Sequence, residues 1–393
     1  MTGDTMQKKE RIRIAYVLPT EVRGGVEEHV LSLVKRIDKS RFQPFIVAPA
    51  VLLASLQPDL ECGQAELISL KIGSLRDWRE MFRFYRFLRR NCIHIVNTHM
   101  FIATFYYAPI ARLAGVPVIL ETTHLMEKWR LGKGFFRRNS FLIDRGFYLL
   151  LDRVLAVSHA SKRDLVRMKG VSPDKVAVVQ NGRDVDNFDP RRGTRRAELR
   201  ATYKFKPDDY VFGVFARLNH QKGHKYLLTA SKMLKDKGIF LKVILVGDGE
   251  LKFSLIAQCR ELDIEDQIVF AGFQKDMPGF LSMIDVMVLP SLYEGLPLCA
   301  IEALAMEKPV IATAVDGTPE IVIHDQTGLL VPAGDSNALA DALLFALDNR
   351  ELMGRMGING RKFALDHFSL HRQVTETEAV YEGLCSLKGV SCS

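Results

Sequence analysis

Short apolar runs alternate along this chain with segments whose apolar residues recur every three or four positions. The runs at 12–18, 44–48, 66–70, 93–98, 117–122, 154–157 and 176–179 have the length and β-branched content of buried strands. Helical spacing fills most of the gaps: within 26–37, Val30, Leu31 and Val34 fall on one face. The alternation resumes with strands at 210–216, 242–246, 267–273, 284–289 and 310–314. Such repetition builds parallel sheets covered by helices, and two stretches of it predict an α/β protein with two Rossmann-like domains.

The stretch 289–309, LPSLYEGLPLCAIEALAMEKP, begins with the last residue of one apolar run. Pro297 is expected at the first helical position, where its missing N–H costs nothing. Leu298, Ile301, Leu304 and Ala305 then recur at helical spacing, and the helix should stop before Pro309. Glu294 precedes this helix and Glu302 lies in its second turn, roughly 8 Å along the axis from Pro297. Between them the backbone N–H groups of Gly295, Leu296 and Leu298 meet the positive end of the helix dipole, a ready site for phosphate. A ligand with a central diphosphate would meet one carboxylate at each end, and a sugar nucleotide is laid out in this way.

A chain of 393 residues exceeds what one core supports. The expected division is 1–190, then 191–366, then 367–393 carrying a last helix at about 372–387. With 48% apolar and 25% charged residues the composition is ordinary for a globular protein. No apolar run reaches the ~20 residues of a membrane span. The first residues lack the apolar core and cleavage site of a signal peptide, so the cytoplasm is the expected compartment. Six cysteines without a C-x-x-C pair argue for reduced thiols, against both a disulfide framework and a zinc site.

Charge changes the picture of the first half. Residues 1–190 hold 30 Lys and Arg against 20 Asp and Glu, a net +10, whereas residues 191–393 hold 24 against 26, a net −2. The first half is therefore expected to meet something acidic. In 77–90, Trp78, Met81, Phe82, Tyr85 and Leu88 are expected on one helical face and Arg79, Arg83, Arg86 and Arg90 on the other. This helix reads either as an interfacial helix or as a crossover helix with its arginines in water. The segment 127–141 mixes Trp129, Phe135 and Phe136 with Lys128, Arg130, Lys133, Arg137 and Arg138, which suits an interfacial loop.

Ligands of open α/β sheets bind beyond the carboxyl ends of strands. His99 in VNTHM and His124 in ETTHLM close two predicted strands there. Gly24 and Gly25 precede the first helix, where backbone can approach a ligand or simply turn. Arg217 and Lys222 flank a loop that enters a helix, a planar fork plus a point charge suited to a diphosphate.

Glu294 and Glu302, flanked by SLYEGLPLCAIEALA and followed by KPVIATAVDGTPEIV and TGLLVPAGD, resemble the E-x7-E motif of the retaining glycosyltransferases of family 4. Arg217, Lys222 and Gly223 match that family's R-x4-K-G element. VVQNGRDVDNFDP at 178–190 resembles its N-G-V-D-x-x-x-F-x-P element, with Arg183 in place of a small apolar residue. The resemblance implies the GT-B fold, two Rossmann-like domains facing a cleft. It also implies transfer of a hexose or N-acetylhexosamine, with retention, from a nucleotide diphospho-sugar, UDP-linked rather than GDP-mannose. The expected acceptor is a hydroxyl of a cell-envelope lipid-linked glycan or lipopolysaccharide precursor.

On this reading Glu294, His124, Arg217 and Lys222 are catalytic. Gly24, Gly25, Gly247, Phe273, Gly295, Leu296, Pro297, Leu298 and Glu302 join Arg217, Lys222 and Glu294 in binding the donor. No cofactor and no metal are expected: Asp184-x-Asp186 stands at a domain exit and reads as a cap or hinge. Gly247-x-Gly249 lacks the third glycine of a dinucleotide fingerprint, which disfavours NAD. The expected partners are the nucleotide-sugar donor, the lipid-linked or glycan acceptor and an anionic membrane surface on the cytoplasmic side. Nucleic acid is not expected, since no recognised module is present. A UDP-sugar 2-epimerase, a glycogen-type synthase and a non-catalytic sugar-nucleotide-binding subunit stand as alternatives.

Overall fold

In the computed structural model, which describes residues 11–125, 140–191 and 195–390, the strands form two separate parallel sheets. The first contains β1 (Ile12–Val17), β2 (Phe42–Ala48), β3 (Glu66–Ser69), β4 (Ile95–His99), β5 (Val118–Thr123), β6 (Arg153–Ala156) and β7 (Val176–Val178), in the order β3-β2-β1-β4-β5-β6-β7. The second contains β8 (Val211–Phe215), β9 (Lys242–Val246), β10 (Ile268–Gly272), β11 (Val286–Leu289), β12 (Val310–Thr313) and β13 (Gly328–Val331), in the order β10-β9-β8-β11-β12-β13. The helices that frame the sites are, in chain order, α1 (Gly25–Arg36), α2 (Trp78–Arg90), α3 (His224–Lys235), α4 (Leu298–Ala305), α5 (Arg350–His367) and α6 (Leu370–Leu387). The chain divides into two units, one of residues Met1–Asn181 with Leu370–Ser393 and one of Gly182–Ser369.

Each sheet is apolar on both faces because helices cover both, as parallel sheets require. In the first unit successive residues of β1 go to opposite sides. Ile14 and Tyr16 pack with Val30, Leu31 and Val34 of α1 and Val374 and Tyr381 of α6. Ala15 and Val17 belong to the cluster of Phe84, Phe87 and Leu88 from α2. In the second unit Phe212 and Val214 of β8 join Leu227 and Leu228 of α3. No helix among the described residues is long and apolar enough to cross a membrane.

Three sequence expectations need correction. The buried face of α2 is Phe84, Phe87 and Leu88, with Met81 and Tyr85 partly covered. Trp78 and Phe82, expected on one face with Met81, Tyr85 and Leu88, are 65% and 56% exposed. They share the outer surface with Arg79 and Arg86, whose guanidinium carbons lie 5.3 and 5.7 Å from their ring centres. Pro297 is not the first helical residue but the extended residue just before α4, with ψ 110°. The strand expected at 93–98 begins at Ile95, because the Ile93 amide closes the end of α2 on Leu88 O at 3.1 Å.

Helix α6 belongs to the first unit through buried polar contacts as well as apolar ones. Tyr381 is fully buried, and its hydroxyl accepts from Asn97 Nδ2 of β4 at 2.9 Å. Glu378 accepts from the Asp38 amide at 2.8 Å, just beyond α1. Tyr381→Ala is expected to cost roughly 3–5 kcal/mol, from the cavity and from the Asn97 amide left unsatisfied. Denaturant unfolding followed in the first unit checks this; a loss below about 1 kcal/mol would detach α6 from that core.

Candidate active site

Each sheet has one point where strand order reverses: between β1 and β4 in the first, between β8 and β11 in the second. Loops leaving such neighbours diverge and open a crevice at the carboxyl edge. In the second unit those two loops carry Arg217–Lys222 and Pro290–Pro297. Arg217, Lys222, Glu294, Gly295, Leu296 and Pro297 thus come from the reversal point itself.

One backbone and one side-chain hydrogen bond lock these loops together. The Leu292 amide donates to Gln221 O at 2.8 Å, and Gln221 Nε2 donates to Tyr293 O at 3.0 Å. Gly223 has φ of 63°, and a β-carbon there would stand 2.0 Å from Pro290 O. Only glycine allows that approach. Gly247, with φ of 147°, lies as tightly against Ala216 O beside the Arg217 loop.

The result is a paired charge in a covered position. Lys222 Nζ donates to Glu294 Oε1 at 2.5 Å, and Ser291 Oγ donates to the same oxygen at 2.7 Å. The Glu294 amide is itself held by Asp316 Oδ2 at 2.8 Å. Burial pulls the Lys222 ammonium down, but the Glu294 carboxylate more than offsets it, so its pKa lies above the ordinary lysine value. Arg217 stays exposed at the start of the loop. Gly295, Leu296 and Pro297 are buried beside Glu294 and lead directly into α4, whose first residue is Leu298.

Glu302, in the second turn of α4, is buried. Its Oε1 accepts from Arg183 Nε at 2.5 Å and also pairs with Arg183 Nη2. The Arg183 amide donates to Phe368 O at 2.8 Å. The residue that departs from the family pattern is therefore the partner of the second motif glutamate. Its side-chain role was not legible in sequence, because 119 residues separate the two. Phe273 follows β10 and is exposed. Asp184 precedes a short 3-10 turn, Val185–Asn187. Among the described residues neither Asp184 nor Asp186 joins a group able to hold a metal.

In the first unit Gly24 precedes α1, and its amide donates to Glu27 Oε2 at 2.8 Å. Gly25 faces open space, and a β-carbon there would meet nothing within 4 Å. His99 ends β4 and His124 follows β5, as the sequence placed them, and His99 Nδ1 lies 2.8 Å from His124 Nε2. A third histidine, His29 of α1, completes the cluster; its Nδ1 is 2.9 Å from Asn181 Oδ1. Burial lowers the pKa of all three, to about 4 for His29, and mutual repulsion adds to the effect at His99 and His124. His29 could have been suspected from its place one turn into the helix after Gly24-Gly25. The basic and aromatic residues Lys128, Trp129, Arg130, Lys133, Phe135, Phe136, Arg137 and Arg138 lie outside the described residues.

The family described as Glycosyltransferase Family 4 matches residues 23–187, and the one described as Glycosyl transferases group 1 matches residues 195–363. The UDP-Gal:alpha-D-GlcNAc-diphosphoundecaprenol alpha-1,3-galactosyltransferase of Escherichia coli is 24% identical over 384 residues, spanning 94% of this chain and 97% of that protein. Among solved structures, Anabaena HepE in complex with UDP-glucose matches with a TM-score of 0.81 at 19% identity, covering 94% of this chain and 99% of that one. WaaG, a glycosyltransferase involved in lipopolysaccharide biosynthesis, matches with a TM-score of 0.74 at 15% identity, covering 94% and 100%. At such identities the structural likeness is one of fold.

His224, the first residue of α3, is buried, and neither ring nitrogen has a partner among the described residues. Burial first, then the Lys222 charge, lowers its pKa from 6.5 to about 4. The unfolded chain therefore binds this proton more readily, so the stability contribution is complete above pH 6.5 and is lost as pH falls toward 4. The loss is on the order of 3 kcal/mol at the acid end. His224→Leu should flatten the fall of the melting midpoint across that window; equal slopes for both proteins would overturn the assignment.

Proposed function

We propose that this chain, which belongs to the GT-B glycosyltransferases with a family 4 first half and a group 1 second half, retains anomeric configuration while moving a hexose or N-acetylhexosamine from a UDP-sugar. The observation that carries the reading is the Lys222–Glu294 pair at the reversal point, immediately before the N-terminus of α4. A diphosphate at that N-terminus meets backbone N–H groups, the Lys222 ammonium and the exposed Arg217 guanidinium. As the bond between sugar and diphosphate breaks, these groups take up the charge on the leaving oxygens. They are already in place before reaction, so little reorganisation is needed. This set of positive groups also lets turnover proceed without a divalent ion.

Glu294 in this reading orients the sugar hydroxyls and stabilises positive charge at the anomeric carbon. Lys222 and Ser291 both use Oε1, which leaves Oε2 for the sugar. Glu302 accepts from the ribose hydroxyls, and Arg183 fixes its rotamer. The family resemblance assigns His124 to the donor sugar. Retention follows from attack of the acceptor hydroxyl on the same face that the diphosphate leaves. UDP is supported as the nucleotide by the Escherichia coli relative, named for UDP-Gal, and by HepE, whose structures hold UDP and UDP-glucose. The same relative is named for a diphosphoundecaprenol-linked sugar, which supports a lipid-linked acceptor.

A lipid-linked acceptor fits the outer face of α2. Trp78 and Phe82 stand exposed beside Arg79, Arg83 and Arg86, while the opposite face anchors the helix in the core. Aromatic rings with basic side chains suit the headgroup region of an anionic membrane. Each cation near such a surface contributes about 1 kcal/mol, screened over a Debye length of ~8 Å at physiological salt.

The test of the reaction is a donor panel that reads nucleotide release and product mass. UDP release with one sugar donor is expected, and Arg217→Ala and Lys222→Ala should each lower kcat by about 10² or more in that assay. Near-normal turnover of both variants at saturating donor would remove the diphosphate clamp. For the membrane face, wild type should sediment with anionic vesicles at low salt and be released at high salt. A Trp78→Ala, Phe82→Ala, Arg79→Glu, Arg86→Glu variant should sediment less; equal sedimentation would take α2 out of the interface.

A further inference from the structure

Three imidazoles meet inside the first unit, and the transfer proposed above uses one of them. One ring nitrogen each from His29, His99 and His124 lies within 4.8 Å of the other two. The rings are 4.7 Å apart for His29 and His124, and 5.1 Å for His99 and His124, by their centres. They come from α1, the end of β4 and the residue after β5, around the reversal point of the first sheet.

Ordinary core packing does not account for the polar atoms. His99 is fully buried, yet its Nε2 has no hydrogen-bond partner among the described residues. An unmet nitrogen in such a place is costly, because its desolvation is not offset. His29 is oriented at its Nδ1, where Asn181 Oδ1 lies 2.9 Å and the Gln373 amide 3.1 Å away. A hydrogen-bond acceptor on the other ring nitrogen is the usual companion of a metal-ligating histidine, and Asn181 Oδ1 can serve as one. His29 and His124 keep 7% and 9% of their surface, whereas His99 keeps none.

We propose that His29, His99 and His124 form a site for a borderline divalent cation of the Zn²⁺ class, and that filling it slows sugar transfer. Three imidazole nitrogens with an open fourth position suit Zn²⁺ or Co²⁺, whereas Mg²⁺ and Ca²⁺ require oxygen ligands that the cluster lacks. On binding, the His99–His124 hydrogen bond breaks, the ring that donated it shifts its proton to its other nitrogen, and the two freed lone pairs bind the ion. His124 is then withdrawn from the donor sugar. The inhibitory half rests on the role given to His124 above; the binding half does not.

The experiment uses the full chain, stripped with EDTA and free of donor. The exposed Cys62 and Cys92 are changed to serine so that thiols do not compete. Titration with Co²⁺ should saturate at one equivalent with the visible bands of a low-coordinate site, and Zn²⁺ should displace it. His29→Gln and His124→Gln should abolish the bands. Asn181→Ala, checked for fold by circular dichroism, should keep the site but weaken it by about 10- to 100-fold. Absence of saturable bands, or bands unchanged in both histidine variants, overturns the site. Zn²⁺ should also lower transfer by the wild type, with recovery on adding EDTA. Binding without loss of transfer overturns the inhibitory half, and a failure to find any donor leaves the titration fully readable.

Discussion

One ion pair, Lys222 Nζ on Glu294 Oε1 at 2.5 Å, is the constraint on which the second unit's site depends. It joins the loop after β8 to the loop after β11 at the place where the sheet reverses its winding. Both side chains are largely covered, 17% and 5% exposed, so neither can stand alone: an uncompensated buried charge costs roughly 3–5 kcal/mol. That requirement explains the surrounding detail. Gly223 lets the two backbones approach, Gln221 ties them, and Ser291 and Asp316 fix the carboxylate and its amide. The pair is held by the fold before any ligand arrives, which is the condition for electrostatic stabilisation without reorganisation.

The first unit works by the opposite rule. Its reversal point gathers histidines whose low pKa values keep them neutral, because desolvation there is not offset by a carboxylate. One unit presents fixed charge and the other presents neutral nitrogen lone pairs. Neutral imidazoles suit the divalent cation proposed above, whereas the lysine-bearing loop carries fixed positive charge.

Helix α2 illustrates how a helix meets two demands. Burial of Phe84, Phe87 and Leu88 fixes it on the sheet. That narrow stripe leaves room for Trp78 and Phe82 to face outward among arginines. Aromatic residues at helical spacing fit more than one face when the helix carries this many of them, and 77–90 holds five. The sequence pattern grouped Trp78 and Phe82 with Leu88 on one face, since periodicity fixes the spacing of a stripe but not its angle when apolar residues surround it.

The sequence by itself determined the alternation of strands and helices, the parallel sheets, the α4 helix with Glu294 before it and Glu302 within it, and the loop carrying Arg217 and Lys222. Each of these is written in local spacing: apolar runs, helix-start chemistry and glycines before helices. The tertiary structure alone decided which charges pair. Arg183 meets Glu302 across 119 positions, and Lys222 meets Glu294 across 72. His29 and Gln373, the latter 344 residues further along, meet at one ring nitrogen. Strand order decides such meetings, because it sets which loops share the carboxyl edge at a reversal point, and no local pattern of apolar and polar residues carries that order.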